Sequence, residues 1–218
     1  MTRVTKMVLA AWTLAIAASG AWILYDTLQP ASTDAAPGGG TKGLFGTDSP
    51  LRAQIGGPFA LVDQDGNRRS DGDFRGTPMI VYFGYTYCPD VCPTELAQMA
   101  AAIELLGGDA EKIWQVFITV DPERDTPAVL KEYVAQFSPH MVGLTGSPQE
   151  IAQAAKAYRV YFAKNKPDSE GVYMMDHSSL FYLMDGEGRF VTHFTPRSKP
   201  KDMAAAMRKL LAGPAKQN

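Results

Sequence analysis

The sequence predicts an α/β fold built on one open sheet, and three observations carry that reading. Residues 78–85, "PMIVYFGY", and 113–120, "IWQVFITV", are continuous apolar runs of β type, as expected of strands buried on both faces. Between them "TELAQMAAAIELL" places Leu96, Met99, Ile103 and Leu106 at helical spacing. Near the C-terminus two short strand patterns precede a last helix. Strands alternating with helices form a sheet that is parallel at least in its first part.

The domain begins near Pro58. "FALVDQDGNRR" reads as a hairpin turning at Asp65-Gly66. The two buried strands and their helix follow. "PAVLKEYVAQF", 127–137, is a second helix, and "PQEIAQAAKAYRV" a third. After an inserted segment, "SLFYLMD", 179–185, and "GRFVTHF", 188–194, are two strands joined at Asp185–Gly188. "KPKDMAAAMRKLLAG" closes the chain as a helix with Gly213 at its end. A β-α-β unit followed by a β-β-α unit is the thioredoxin-like arrangement. The expected fold is thus thioredoxin-like, with an N-terminal β-hairpin and an inserted segment, over residues 55–213, with 214–218 as a tail.

Composition narrows the function. The chain has 218 residues, 45% of them hydrophobic, enough for one domain with a core. Its formal net charge is −2 with no long basic run, so nucleic acid is not an expected partner. Two cysteines are too few for a disulfide scaffold, while one close pair suits redox or metal chemistry.

The N-terminus sets the compartment. Residues 7–25, "MVLAAWTLAIAASGAWILY", carry no charge. Their length as a helix is about 28 Å, near the thickness of a hydrocarbon core. Arg3 and Lys6 precede the run and Asp26 follows it, so residues 1–6 are expected in the cytoplasm and the rest outside. A cleaved signal peptide is the alternative, but its apolar region is shorter than this one. Residues 26–54 form a linker, rich in Pro, Gly, Ser and Thr over 30–50. The domain is thereby placed in an oxidising compartment, where a thiol pair is kept reduced or is metallated.

Cys88 and Cys92 lie just past the end of the first buried strand, and ligand sites in open α/β sheets lie at that edge. Pro93 suits the first turn of a helix, so the helix is expected to start near Cys92. Its free N–H groups and macrodipole should favour thiolate, with Asp90 opposing modestly. Three residues separate the cysteines, against two in a Cys-x-x-Cys redox motif. The wider ring can close a disulfide or flank an ion, and a plain structural bridge is the third reading. Two thiolates select Cu(I) or Zn(II). Closed zinc sites take four ligands, whereas Cu(I) accepts two or three.

The third donor would be a histidine. His140 lies in a loop and His193 in a strand pattern. His177 stands immediately before the third core strand, which in this arrangement faces the cysteine loop. Asp176 is the expected partner orienting its imidazole. Met174 and Met175 are soft but read as filler or partner contacts.

Four motifs in order, "YFGYTYCPDVCP", "TVDPERDTP", "GLTG" and "DHSSLFYLMDGEGRF", resemble the Sco/SenC family of membrane-anchored copper proteins over about residues 55–212. The resemblance implies a copper ion held by Cys88, Cys92 and His177. It also implies delivery of copper, or of reducing equivalents, to the binuclear copper centre of cytochrome c oxidase. The partners implied are that enzyme's copper-site subunit and other periplasmic copper chaperones or thiol reductants. The compartment is the periplasmic side of a bacterial inner membrane, equivalent to the mitochondrial intermembrane space. Asp121 and Pro122 match a further family motif, read as a loop near the site. Arg75-Gly76-Thr77 replaces a Gly-Lys pair frequent in the family.

The main reading is a metallochaperone without turnover. The alternative is a thiol–disulfide oxidoreductase using Cys88 and Cys92 as its catalytic thiols. A thiol peroxidase fits least, because Tyr85 stands where such sites have threonine.

Overall fold

The computed structural model describes residues 55–213. The expected anchor at 7–25, the linker and the tail at 214–218 lie outside the described residues. Among the described residues no helix is long and apolar enough to cross a membrane.

Strands β1 (Ala60–Asp63) and β2 (Arg68–Ser70) form the expected hairpin. The Asp63 carboxylate organises its turn, accepting from the amides of Asp65 and Asn67 at 3.0 and 2.8 Å and from Arg69 Nε at 2.9 Å. Strand β3 (Met79–Gly84) is wholly buried and leads into helix α1 (Val91–Glu104). Strand β4 (Trp114–Thr119), helix α2 (Pro127–Val134), strand β5 (Met141–Thr145) and helix α3 (Pro148–Ala157) follow. Strands β6 (Phe162–Lys164) and β7 (Met175–His177) pair with each other. Strands β8 (Phe181–Met184) and β9 (Phe190–Phe194) and helix α4 (Pro200–Leu211) end the fold.

Among the described residues the main sheet has seven strands in the order β2-β1-β5-β4-β3-β8-β9. β3, β4 and β5 run parallel; β1, β8 and β9 join antiparallel. The β3-α1-β4 and β8-β9-α4 units are those expected of a thioredoxin-like arrangement. Strand alternation sends β3 side chains to opposite faces. Tyr82 meets α1 and stacks near Phe117, while Phe83 packs against Tyr158 and Tyr182 on the other face.

Helices α2, α3 and α4 each begin with proline, whose missing N–H costs nothing there. Thr126 caps α2, and Ser147 with Glu150 makes a capping box on α3. Both helices are shorter than their apolar patterns suggest: α2 stops at Val134 and α3 at Ala157.

One core strand was not expected. β5 occupies the stretch taken as a loop carrying His140, and its "MVGLT" contains a glycine that breaks the β pattern. Gly143 is required by packing: a Cβ there would lie 3.1 Å from Val134 Cγ1 and 3.2 Å from Leu130 Cβ on α2. The inserted segment likewise contains the β6–β7 ribbon, too short to announce itself by pattern.

Candidate metal centre

The turn after β3 carries Tyr85, Thr86, Tyr87 and Cys88 to the start of α1. Asp90 stands at the N-cap of this helix without a side-chain cap bond. Instead the Cys92 amide, one of the first-turn donors that a helix leaves unpaired, donates to Cys88 Sγ at 3.4 Å. The two cysteines are free thiols; Cys88 is half-buried and Cys92 buried.

His177 ends β7. Its Nε2 lies 3.4 Å from Cys92 Sγ, and its Nδ1 lies 3.4 Å from the Ser178 carbonyl. A carbonyl only accepts, so Nδ1 carries the ring proton in the neutral imidazole and the Nε2 lone pair faces the sulfur. Burial lowers the His177 pKa, opposed by the Ser178 carbonyl and the Asp176 charge, which keeps the ring neutral and able to donate that lone pair.

Two donors around one ion at about 2.3 Å for sulfur and 2.0 Å for nitrogen stand about 3.5 Å apart at a tetrahedral angle. The observed Cys92–His177 contact therefore already has ligand spacing. Among the described residues, however, no group of three or more His, Cys, Asp or Glu side chains is gathered closely enough to hold an ion as it stands. Cys88 and His177 line an open cavity of about 360 Å³ with Tyr85, Val91 and Met174, and buried Cys92 touches the His177 imidazole.

Two sequence expectations are corrected. The helix start does not make Cys92 acidic. Burial pushes its thiol up to about 12, and the neighbouring Cys88 adds to this, outweighing the bonds that favour thiolate. The carboxylate of Asp176 does not hold the imidazole. Successive residues of β7 point to opposite faces, so Asp176 is exposed and its Oδ1 accepts from Asn165 Nδ2 at 3.2 Å. It acts on His177 through charge alone. His140 and His193 are both exposed, and His193 stacks on Phe190.

Several residues around the site were not singled out by pattern. Tyr82 donates toward Cys92 Sγ at 3.8 Å. Gly84 leaves room for the same sulfur: a Cβ there would lie 3.1 Å from Cys92 Sγ and 2.8 Å from Tyr82 Cε1. Glu95 is buried on the inner face of α1, and both its oxygens lack a hydrogen-bond partner. Burial raises its pKa; the Tyr82 hydroxyl is near enough to temper this but not placed to bond. The helical register of Cys92, Leu96 and Met99 could have flagged Glu95, which shares their face.

The "DPERD" loop after β4 holds the site from behind. Asp121 pairs with Arg124 and accepts from the Tyr173 hydroxyl at 3.0 Å. Arg124 donates to the Tyr173 carbonyl at 3.0 Å, and its guanidinium lies 3.7 Å from the Tyr173 ring centre and 4.6 Å from that of Tyr87. One cation thus joins the cysteine loop to the histidine-bearing insert.

Fold and site together define a thioredoxin-like protein with two free thiols, one of which touches an imidazole. The SCO1/SenC family model matches residues 47–212, and the chain belongs to that family. It is 47% identical over 161 residues to protein sco1 of Schizosaccharomyces pombe, a match covering 72% of this chain and 60% of that protein. Among solved structures it is similar to Bradyrhizobium japonicum ScoI with copper bound, at 48% identity and a TM-score of 0.67, covering 72% of this chain and 99% of that one. A more distant likeness is to BsSco, described as a member of the Sco family of cytochrome c oxidase assembly proteins with a disulfide switch. The identity is 26%, the TM-score 0.56, and the match covers 73% of this chain and 96% of that one.

Proposed function

We propose that this chain is a membrane-tethered copper chaperone. It takes up Cu(I), with Cu(II) as a second oxidation state, on Cys88, Cys92 and His177. It hands the ion to the copper-site subunit of cytochrome c oxidase while the binuclear centre is assembled. Residues 7–25 anchor it in the bacterial inner membrane, and the linker lets the domain reach its partners in the periplasm, including other copper chaperones or thiol reductants. The observation that carries this reading is the 3.4 Å contact of His177 Nε2 with Cys92 Sγ, since a disulfide exchanger needs no imidazole there. The copper-bound ScoI structure supports the cargo. Two thiolates and one imidazole suit Cu(I), and they are too few for a closed zinc site.

The test is X-ray absorption on the purified full chain loaded with Cu(I). About one copper per chain with two sulfur ligands and one nitrogen ligand is expected. Sulfur-only ligation, or unchanged Cu(I) affinity in His177→Ala, counts against the proposal.

The BsSco disulfide switch favours a second reading, in which Cys88 and Cys92 act as a thiol–disulfide reductase for the partner's cysteines. Cells carrying His177→Ala in place of their own copy separate the two. A delivery defect appears at low copper and is relieved by added copper. A reductase retains most of its activity in this variant and loses it in Cys88→Ser.

A further inference from the structure

The cavity shared by Cys88 and His177 has another soft donor in its lining. Met174 lines it and is half-buried, so it is not a filler of the closed core. Its Sδ lies 4.0 Å from the Tyr85 hydroxyl. Tyr85 and Cys88 line the same cavity. The Tyr85 ring stands edge-on to His177, with centroids 5.9 Å apart at 90°. One side chain, Tyr85, thus neighbours a thioether, a thiol and the imidazole.

The backbone around Met174 is fixed. Its carbonyl accepts from the Asn165 amide at 2.9 Å, and the preceding Tyr173 carbonyl is held by Arg124. A leucine would fill this volume equally well. Sulfur adds a neutral lone pair with no proton to lose, a chemistry that favours Cu(I) over harder ions.

We propose that Met174 is a further copper-binding residue, a relay donor that takes Cu(I) within this cavity as the ion enters or leaves the cysteine–histidine set. This rests on the copper reading. The exchange is redox-neutral. The Met174 lone pair forms a Cu–S bond as the bond to His177 breaks, Cu(I) keeps its charge throughout, and a thiolate freed on final release takes a proton from solvent.

The test is Cu(I) transfer from the loaded full chain to bathocuproine disulfonate, followed by stopped flow, with Cu(I) affinity measured alongside. Met174→Leu keeps volume and Met174→Gln keeps length; both remove the sulfur, and the second serves if the first misfolds. Each should slow transfer by about fivefold, a barrier increase of about 1 kcal/mol, with affinity unchanged. Transfer within about twofold of the unsubstituted chain in the folded variants overturns the proposal. So does a fall in affinity that accounts for the whole change, which marks a structural role. An unsubstituted chain that takes up no Cu(I) removes the copper reading and this one together. A loaded chain whose variants release normally removes only the role of Met174.

Discussion

The Asp125 carboxylate holds Thr86 at two points, accepting from its amide at 3.0 Å and from its hydroxyl at 2.6 Å. Asp125 is fully buried after β4, and Thr86 lies two residues before Cys88. Thr119 adds a third donor at 2.5 Å. The loop that carries the first cysteine is therefore tied to the residues after a neighbouring strand as well as to its own helix.

Asp125→Ala removes the acceptor and leaves the Thr86 amide without its partner. A loss of about 1–3 kcal/mol in chemical denaturation is expected, larger than for an exposed aspartate. Cu(I) affinity should fall with it, because Cys88 is no longer positioned. Stability and affinity both unchanged would exclude this tie.

The two thiols should react unequally. Burial pushes the Cys92 thiol up to about 12, so little of it is thiolate at pH 8. Iodoacetamide followed by mass spectrometry should label half-buried Cys88 first in the copper-free chain. Mild oxidation should close a reversible disulfide that abolishes Cu(I) binding, and bound Cu(I) should protect both thiols. Equal labelling of the two, or no protection by copper, contradicts the placement of Cys92.

Gly84→Ala tests the space behind the sulfur. Its Cβ would come within 3.1 Å of Cys92 Sγ and of Phe117 Cε2, and closer still to the Tyr82 ring. Overpacking of this kind costs about 1–3 kcal/mol. The substitution should lower the unfolding midpoint and weaken Cu(I) binding together. An alanine variant with unaltered copper affinity would show that Cys92 can shift freely.

Acid should act on the hairpin through Asp63. Its carboxyl is buried, which raises its pKa, but bonds from Asn67, Arg69 and Asp65 outweigh that and hold it below the ordinary 3.8. A lowered folded-state pKa gives stability that is present above about pH 4 and is lost as pH falls through the folded value. Asp63→Asn should be less stable than the unsubstituted chain at pH 7 by about 1–3 kcal/mol. The gap should narrow below pH 4. A gap that stays constant down to pH 2 would assign the effect to packing instead.

The buried strands β3 and β4 were legible because both their faces are covered, so their residues are apolar without interruption. The starts of α2 and α3 were legible because Thr126-Pro127 and Ser147-Pro148 are local capping signals. β5 was not: Gly143 and a length of five residues hide a central strand whose glycine is demanded by Leu130 and Val134 on another element. His177 was singled out by its place before the third core strand and by the motif "DHSSLFYLMDGEGRF" that contains it; the structure sets its Nε2 3.4 Å from Cys92 Sγ. The role given to Asp176 failed because the β7 ribbon was not foreseen, and strand alternation turns neighbours apart.

The sequence by itself determined the α/β order and the cysteine pair at a helix start. Those follow from local periodicity, capping and residue type, which act over a few residues. Only the tertiary structure decided that Cys92 is a buried, reluctant thiol touching His177, that Asp125 anchors the cysteine loop, and that Arg124 joins the loop to the histidine insert. Each of these depends on burial or on contact between residues 39 to 85 positions apart, as in Thr86–Asp125 and Cys92–His177. Desolvation and packing are set by which surfaces meet, and no local pattern in the chain encodes that meeting.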